Sequence, residues 1–204
     1  MYVELHTASA FSFLQGASLP EALVDRAAEL GYPAIALLDR DGVYGLPRFH
    51  KAAFAAGINP SVGAELTIER PGGPARSGES GSSAGSGMSG ESGRTGGLED
   101  TAPENADGYR NLCRLITRMK MRAPKGEGAL QLDELEGCTS GLVALAGRAA
   151  LDGRRHGVGG LLDRLVGLFG RDRVYVELQR HLRRDEERDN AALAALATAF
   201  GVPT

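Results

Sequence analysis

Three residues able to bind a metal or act on a phosphate each follow a short apolar run. His6, Asp39 and Glu65 lie at or near the ends of segments typical of buried strands. Imidazole and carboxylate groups are common ligands of divalent metals in sites that hydrolyse esters. Chemistry gathers at the carboxyl ends of parallel strands, where the following loops converge. The repeated placement therefore predicts a functional site at one end of a sheet.

Alternating strand and helix patterns position these residues. We predict strands at 1–6, 34–38 and 61–68, separated by a helix that runs from a Ser18 cap to Gly31 and a helix at 47–56 ended by Gly57. Ser18 and Glu21 have the spacing of a capping box. The order of strand, helix, strand, helix, strand predicts parallel strands joined by right-handed crossovers.

The second half of the chain continues the alternation. A helix capped by Asp107, a helical turn at 130–135 and strands at 141–146 and 174–178 are predicted, with Arg148 and His181 just beyond the two strands. Residues 157–160 open a further helix, and Asp185 is predicted to cap the last one. Residues 202–204 begin another strand, so we expect the chain to be a truncated piece.

Residues 71–100 have a different character. Gly and Ser make up 17 of these 30 residues, and such a segment buries too little apolar surface to offset its chain entropy. We therefore predict a disordered insertion at 70–107, which divides one domain into parts at 1–69 and 108–204.

Composition excludes several classes of protein. A hydrophobic fraction of 42% and a charged fraction of 24% are those of an ordinary globular protein, and the net charge of -3 gives the whole domain no basic surface for nucleic acid. No apolar run approaches the length of a membrane span, the first residues lack the pattern of a signal peptide, and the two cysteines form no C-x-x-C pair, so we expect a cytoplasmic protein.

One stretch is locally basic. A solvated helix face is favoured over a nucleic-acid contact for this set: Arg110, Arg114, Arg118, Lys120, Arg122 and Lys125. Of the remaining histidines, His50 is expected on the surface, and His156 has no evident partner.

The motifs at 2–16, 36–45, 57–65, 108–112, 141–147 and 176–181 together resemble the polymerase-and-histidinol-phosphatase (PHP) domain. That domain stands at the N-terminus of bacterial DNA polymerase III alpha subunits. The motifs occur in the family's order and span nearly all of the chain outside the Gly/Ser-rich segment. The residues of these motifs most resemble those of the error-prone alpha subunit, the damage-induced paralogue used in translesion synthesis.

The resemblance implies an α/β fold, a partial, distorted (β/α)7 TIM-like barrel. Metal-binding members of the family hold Zn, Mn or Mg ions and cleave phosphoesters, in some polymerases as a 3'-5' exonuclease. Carried over by position, the remnant metal ligands are His6, Asp39, Glu65 and His181. The substituted ligand positions are Ala8, Arg40 and Arg148.

The substitutions are unfavourable for a metal cluster. A methyl group at Ala8 has no lone pair, and the guanidinium groups of Arg40 and Arg148 stay protonated and cannot ligate. We expect these arginines to pair with Asp39 and Glu65, giving a salt-bridge network in place of the metals. The resemblance also implies a barrel strand before Gly108, which is missing or badly weakened here, and a final strand and motif beyond Thr204.

The favoured hypothesis is a catalytically silent N-terminal PHP domain of an error-prone DNA polymerase, with no catalytic residues of its own. Its expected partners are the rest of the polymerase chain, DNA through the parent protein, and other translesion or replication proteins, with no membrane. The alternative is a free-standing metal-dependent phosphoesterase or 3'-5' exonuclease, which intact ligands would support. A third hypothesis is an interaction fragment tethered by the Gly/Ser-rich segment. From the residues alone, a core or capping histidine is the favoured interpretation of His6, with Asp39 a turn residue and Glu65 an ordinary carboxylate at a strand end; the resemblance reverses the preference for His6 and raises the other two.

Overall fold

A computed structural model of the chain describes residues 2–68, 97–103, 105–124, 128–151, 157–184 and 186–204, with backbone only for 97–103. Residues 70–96 of the predicted insertion at 70–107 therefore lie outside the described residues, as do Lys125, His156 and the predicted cap Asp185.

Six strands form one sheet in the order in which they occur along the chain. They are β1 (Glu4–Thr7), β2 (Ala34–Arg40), β3 (Asn59–Thr67), β4 (Gly97–Pro103), β5 (Leu142–Ala146) and β6 (Val174–Val176). Neighbouring strands pair in parallel except at β4, which runs antiparallel to both β3 and β5. The mainly parallel arrangement follows from the helical crossovers, as predicted.

Helices connect the strands. They are α1 (Pro20–Glu29), α2 (Leu46–Ala56), α3 (Ala106–Arg122), α4 (Gly160–Phe169) and α5 (Glu186–Phe200). Short 3-10 segments occupy Leu132–Leu135, Arg148–Leu151 and Arg171–Arg173. No described helix is long and apolar enough to cross a membrane.

The helices bury one face against the sheet in two apolar clusters. The smaller cluster surrounds Phe49 of α2 and contains Ile35 of β2. The larger one joins α3, α4 and α5 to β3, β5 and β6, and Leu115 and Leu165 are fully buried within it. Amphipathic spacing on α3 places Leu112, Leu115, Ile116 and Met119 on its buried side, as the sequence predicted.

Strand β4 corrects the prediction that a strand before Gly108 is missing. Its backbone pairs with both neighbours, for example Thr101 with Ala64 of β3 and with Ala144 of β5. Backbone ladders on two sides hold a central strand without the continuous apolar run that the prediction required. The predicted insertion at 70–107 is therefore too long, because β4 begins at Gly97 and α3 at Ala106.

Two predicted helix caps are also wrong. Leu19 stands at the cap position of α1 with no side-chain cap, because that helix begins one residue later than the Ser18 cap required. Asn105 rather than Asp107 caps α3, and its side-chain oxygen accepts from the backbone N–H groups of Asp107 and Gly108. Gly57 ends α2 at a φ of 69°, as predicted.

The two outer strands of the sheet, β1 and β6, approach each other at their carboxyl ends. The His6 Nδ1 of β1 lies 2.9 Å from the Glu177 Oε1 just after β6. The backbone N–H of Val176 donates to the carbonyl oxygen of Pro203 at 2.8 Å, so the residues after α5 lie along β6. The sheet therefore curves as a partial barrel.

Candidate metal site at the carboxyl end of the sheet

The first three strands bring their polar ends to one edge. Arg40 of β2 lies opposite Glu65 of β3, and Thr7 of β1 lies opposite Leu37 of β2. The loops that follow β1, β2 and β6 leave from this edge, which we call the carboxyl-end face. The predicted site therefore has the location that the strand pattern indicated, and its chemistry depends on the partners of each side chain.

His6 is held by residues that follow β6. Its Nδ1 lies 2.9 Å from the Glu177 Oε1 and 3.3 Å from the Gln179 Nε2. Gln179 also donates to the same Glu177 oxygen at 3.1 Å. These contacts occupy one ring nitrogen of the first predicted ligand and tie β1 to the chain after β6.

Asp39 forms the most enclosed contacts of the site. The side chain is 1% exposed and accepts hydrogen bonds from the Ser9 backbone N–H at 2.7 Å, the Ser9 hydroxyl at 2.9 Å and the Ser12 hydroxyl at 2.8 Å. Gly45 lies so close that a Cβ there would come within 2.9 Å of the Asp39 Oδ2. We call Ser9, Ser12 and Asp39 the Asp39 anchor, because they hold the loop after β1 against β2.

Arg40 does not pair with Asp39, which corrects the expected salt-bridge network. Its Nε lies 3.8 Å from the Asp41 Oδ2, while Asp41 accepts from the backbone N–H and the hydroxyl of Thr67 at 2.8 Å. Side chains alternate in direction along a strand, so neighbouring Asp39 and Arg40 point to opposite faces. Within the described residues, the Glu65 carboxylate has no hydrogen-bond or ion-pair partner.

A second carboxylate organises the loop after β6. Glu186, 3% exposed at the start of α5, accepts from the backbone N–H groups of His181 at 2.6 Å and Arg183 at 3.0 Å, and lies 3.0 Å from the His181 Nδ1. Burial opposes its ionisation, but these donors outweigh that effect and hold the pKa of Glu186 below its usual value. We call His181, Arg183 and Glu186 the Glu186 anchor.

Arg148 also joins this region rather than Glu65. Its Nη2 lies 3.8 Å from the Glu186 Oε1, and its Nε lies 3.4 Å from the Asp189 Oδ2. The expected pairing of Arg148 is therefore wrong, because the acidic residues near it come from the first turn of α5. A guanidinium thus occupies the end of β5 and interacts with two carboxylates.

The residues present do not fit a metal cluster. His6, Asp39 and His181 each contact a different protein group, and His181 is 64% exposed. Within residues 2–68, 105–124, 128–151, 157–184 and 186–204, no group of three or more His, Cys, Asp or Glu side chains could hold a metal ion. The arrangement can fix loops through buried hydrogen bonds and supports no chemical step.

Sequence reasoning missed the partners of these residues. Ser9 and Ser12 lie within the first motif, and their spacing was the available signal for hydroxyl donors. Glu177 had no such signal, because only the fold brings it to His6, whereas Glu186 follows His181 closely in the sequence and contacts it within one loop. The basic face of α3 contacts protein groups, since Arg122 binds Glu134 through two hydrogen bonds of 2.6 and 2.5 Å.

Comparison with known families identifies the class of protein. Residues 4–181 match the PHP domain family, and this chain belongs to that family. The prediction of a PHP domain is therefore confirmed.

The curated relatives are longer proteins. The chain is 37% identical over 213 residues to the error-prone DNA polymerase of Mycolicibacterium paratuberculosis, covering 98% of this chain and 18% of the relative. It is 38% identical over 245 residues to the error-prone DNA polymerase of Nocardia farcinica, covering 99% of this chain and 21% of the relative. The chain thus spans about a fifth of the length of these relatives.

Solved structures share the fold. A candidate metal-dependent phosphoesterase from Bifidobacterium adolescentis aligns with a TM-score of 0.63 at 12% identity, covering 98% of this chain and 84% of that one. An amidohydrolase from Chromobacterium violaceum aligns with a TM-score of 0.61 at 16% identity, with the same coverage. These likenesses confirm the predicted α/β, partial TIM-like barrel.

Proposed function

We propose that the chain is the PHP domain of an error-prone DNA polymerase and is itself catalytically silent. The parent would be a DNA-directed DNA polymerase of the cytoplasm that acts in damage-induced translesion synthesis and DNA repair. In this proposal the Gly/Ser-rich residues 70–96 interrupt a single PHP domain. The similarity to error-prone polymerases along almost the whole chain supports this parent protein.

The Asp39 anchor is the observation that supports silence. Its carboxylate is buried and accepts hydrogen bonds from one backbone N–H and two hydroxyl groups. A divalent ion would have to displace these donors while Ala8 supplies no ligand. His6, Glu65 and His181 would then be remnants of a ligand set, and the domain would serve to support the polymerase module.

Metal content tests the proposal directly. The purified chain would be incubated with Zn2+ or Mn2+, desalted, and analysed for metal per chain beside His6→Ala and Asp39→Asn variants. We expect wild type and both variants to retain the same low background. Two or more tightly bound ions in wild type, lost in the variants, would contradict a silent domain.

A nuclease assay separates the alternative function, a metal-dependent phosphoesterase or 3'-5' exonuclease. The Bifidobacterium protein shares the fold at 12% identity, and this shared fold motivates the assay. Single-stranded DNA with Mn2+ would be incubated with wild type and with His6→Ala. Equal background rates are expected, and faster cleavage by wild type would favour the alternative.

A further inference from the structure

Two leucines at the carboxyl-end face have an unfavourable left-handed backbone conformation and an exposed side chain. Leu14, in the loop after β1, has a φ of 63° and is 89% exposed. Leu182, in the loop after β6, has a φ of 58° and is 99% exposed. Left-handed backbone costs a residue with a Cβ about 1–2 kcal/mol, and neither side chain gains burial in return. Contacts within the described chain therefore do not explain these two residues.

Neither loop is loosely held at its base. The Asp39 anchor fixes the loop after β1, and the Glu186 anchor fixes the loop after β6 through the N–H groups on both sides of Leu182. The contact of His6 with Glu177 joins the bases of the two loops. Strained residues persist where the surroundings fix them, and they cluster at sites of recognition. Both leucines are therefore presented in a fixed position to solvent.

The loop after β1 is uncharged, whereas the segment after Leu182 carries both signs of charge, with Arg183 and Arg184 followed in the sequence by Asp185, Glu186 and Glu187. Residues 8–18 carry no charged side chain and include the exposed Phe13, whereas Leu182 is followed by the exposed Arg183 and Arg184. Arg180 nearby lies 3.6 Å from Glu187, so part of the positive charge is already balanced. Apolar anchors beside a cationic rim fit a partner with an apolar surface and acidic residues at its edge.

We infer that Leu14 and Leu182 anchor the rest of the polymerase chain on the carboxyl-end face, with Arg183 and Arg184 contacting its acidic residues. The inference rests on the proposed function and specifies the docking surface. About four fifths of each relative lies outside the matched region, so a large partner is available in the parent protein. The net charge of -3 favours a protein partner over nucleic acid.

Binding in trans tests the surface. The probe is the Mycolicibacterium paratuberculosis error-prone polymerase without the region that matches this chain, and its Kd is measured for wild type and for two double variants. Leu14→Gly with Leu182→Gly removes both anchors while placing the residue that tolerates positive φ. Arg183→Glu with Arg184→Glu reverses the rim. Phe54→Ala removes an exposed aromatic of α2, away from the face, and is the matched control.

We expect both double variants to weaken binding by about tenfold or more, as loss of interface anchors does, and the control to bind like wild type. Urea unfolding should show the glycine variant at least as stable as wild type, so weaker binding would not reflect misfolding. Equal binding by all variants would overturn the inference and leave the proposed function standing. Binding of a dT20 oligonucleotide that is lost in the arginine variant would also overturn it, because the rim would then be a nucleic-acid surface.

Absence of any binding by wild type would overturn the inference too. A chimeric polymerase, in which this chain replaces the matched region of the relative, then decides about the proposed function. Primer extension by the chimera would keep that function, and an inactive chimera that folds would count against it.

Discussion

The Asp39 anchor and the Glu186 anchor perform the same task with different donors. In each anchor a nearly inaccessible carboxylate fixes a loop at the carboxyl-end face. Asp39 is satisfied by uncharged groups only, namely one backbone N–H and the hydroxyls of Ser9 and Ser12. Glu186 instead combines two backbone N–H groups with the His181 ring and a distant Arg148.

The difference shows two ways in which a buried charge is stabilised at a face that does not fit a metal cluster. At Asp39 a carboxylate is stabilised by hydrogen bonds from a backbone N–H and from hydroxyl groups. At Arg148 a cation instead interacts with two carboxylates from α5, Glu186 and Asp189. Fully buried hydrogen bonds to a charge stabilise more than a partly exposed ion pair does. The following experiments test this ranking.

The largest effect is expected at Asp39. Asp39→Ala leaves three buried donors without an acceptor and should lower the free energy of unfolding by about 3 kcal/mol. Asp39→Asn keeps the shape and one carbonyl oxygen, so it should cost clearly less. Urea unfolding measures both, and a loss below about 1 kcal/mol for the alanine variant would refute the role of this anchor.

A smaller loss is expected at Glu186. Glu186→Ala should lower the free energy of unfolding by about 2 kcal/mol, because its backbone donors lie in a loop where water can partly replace the carboxylate. Glu186→Gln retains an acceptor and should lose about half as much. Hydrogen exchange at His181 and Arg183 provides the local readout, since their N–H groups should exchange faster in the alanine variant.

Arg148 should matter less than either anchor. Arg148→Met keeps the length of the side chain and removes only ion pairs of 3.4 and 3.8 Å, so we expect a loss of about 1 kcal/mol. The same urea titration measures it. A loss equal to that of Asp39→Ala would show that the cation, and not the hydroxyl donors, dominates the face.

An ion pair outside the face provides a pH reference. Burial opposes the ionisation of Glu134, but hydrogen bonds from Arg122 and the Gln131 N–H outweigh it and lower the pKa of Glu134 from its usual 4.5. Its contribution to stability is therefore complete above about pH 4.5 and is lost as the pH falls through the lowered folded pKa. Glu134→Gln should flatten this acid dependence, measured as the free energy of unfolding between pH 2 and 6. An unchanged slope would contradict the assignment.

The smallest effect is expected from removing the Gly/Ser-rich segment. Thr67 pairs with Gly97 in antiparallel register, so the end of β3 and the start of β4 lie side by side. Replacing residues 69–96 with Asn-Gly makes a short hairpin loop and should change the free energy of unfolding by less than about 1 kcal/mol. A large loss would show that one of the anchors depends on the removed residues.

Local patterns explain why much of the fold was predictable. The apolar run of β2 and the Gly57 stop of α2 are set by neighbours in the sequence, and the structure has both where they were predicted. Strand β4 was missed because it depends on backbone pairing with two distant strands. The α3 cap is Asn105 and not the predicted Asp107, because several polar residues there could cap the helix and the residue at which the helix begins determines which one does.

The candidate site divides in the same way. The residue types alone decided that Ala8, Arg40 and Arg148 bind no metal, since neither a methyl group nor a guanidinium can ligate one in any fold. The pairing of the residues that remain was decided by the tertiary structure: Asp39 with Ser9 and Ser12, and Arg148 with the carboxylates of α5. Sequence neighbours determine strands, helices and available donors, whereas contacts between segments 27 or more residues apart depend on how the sheet curves and where each loop returns.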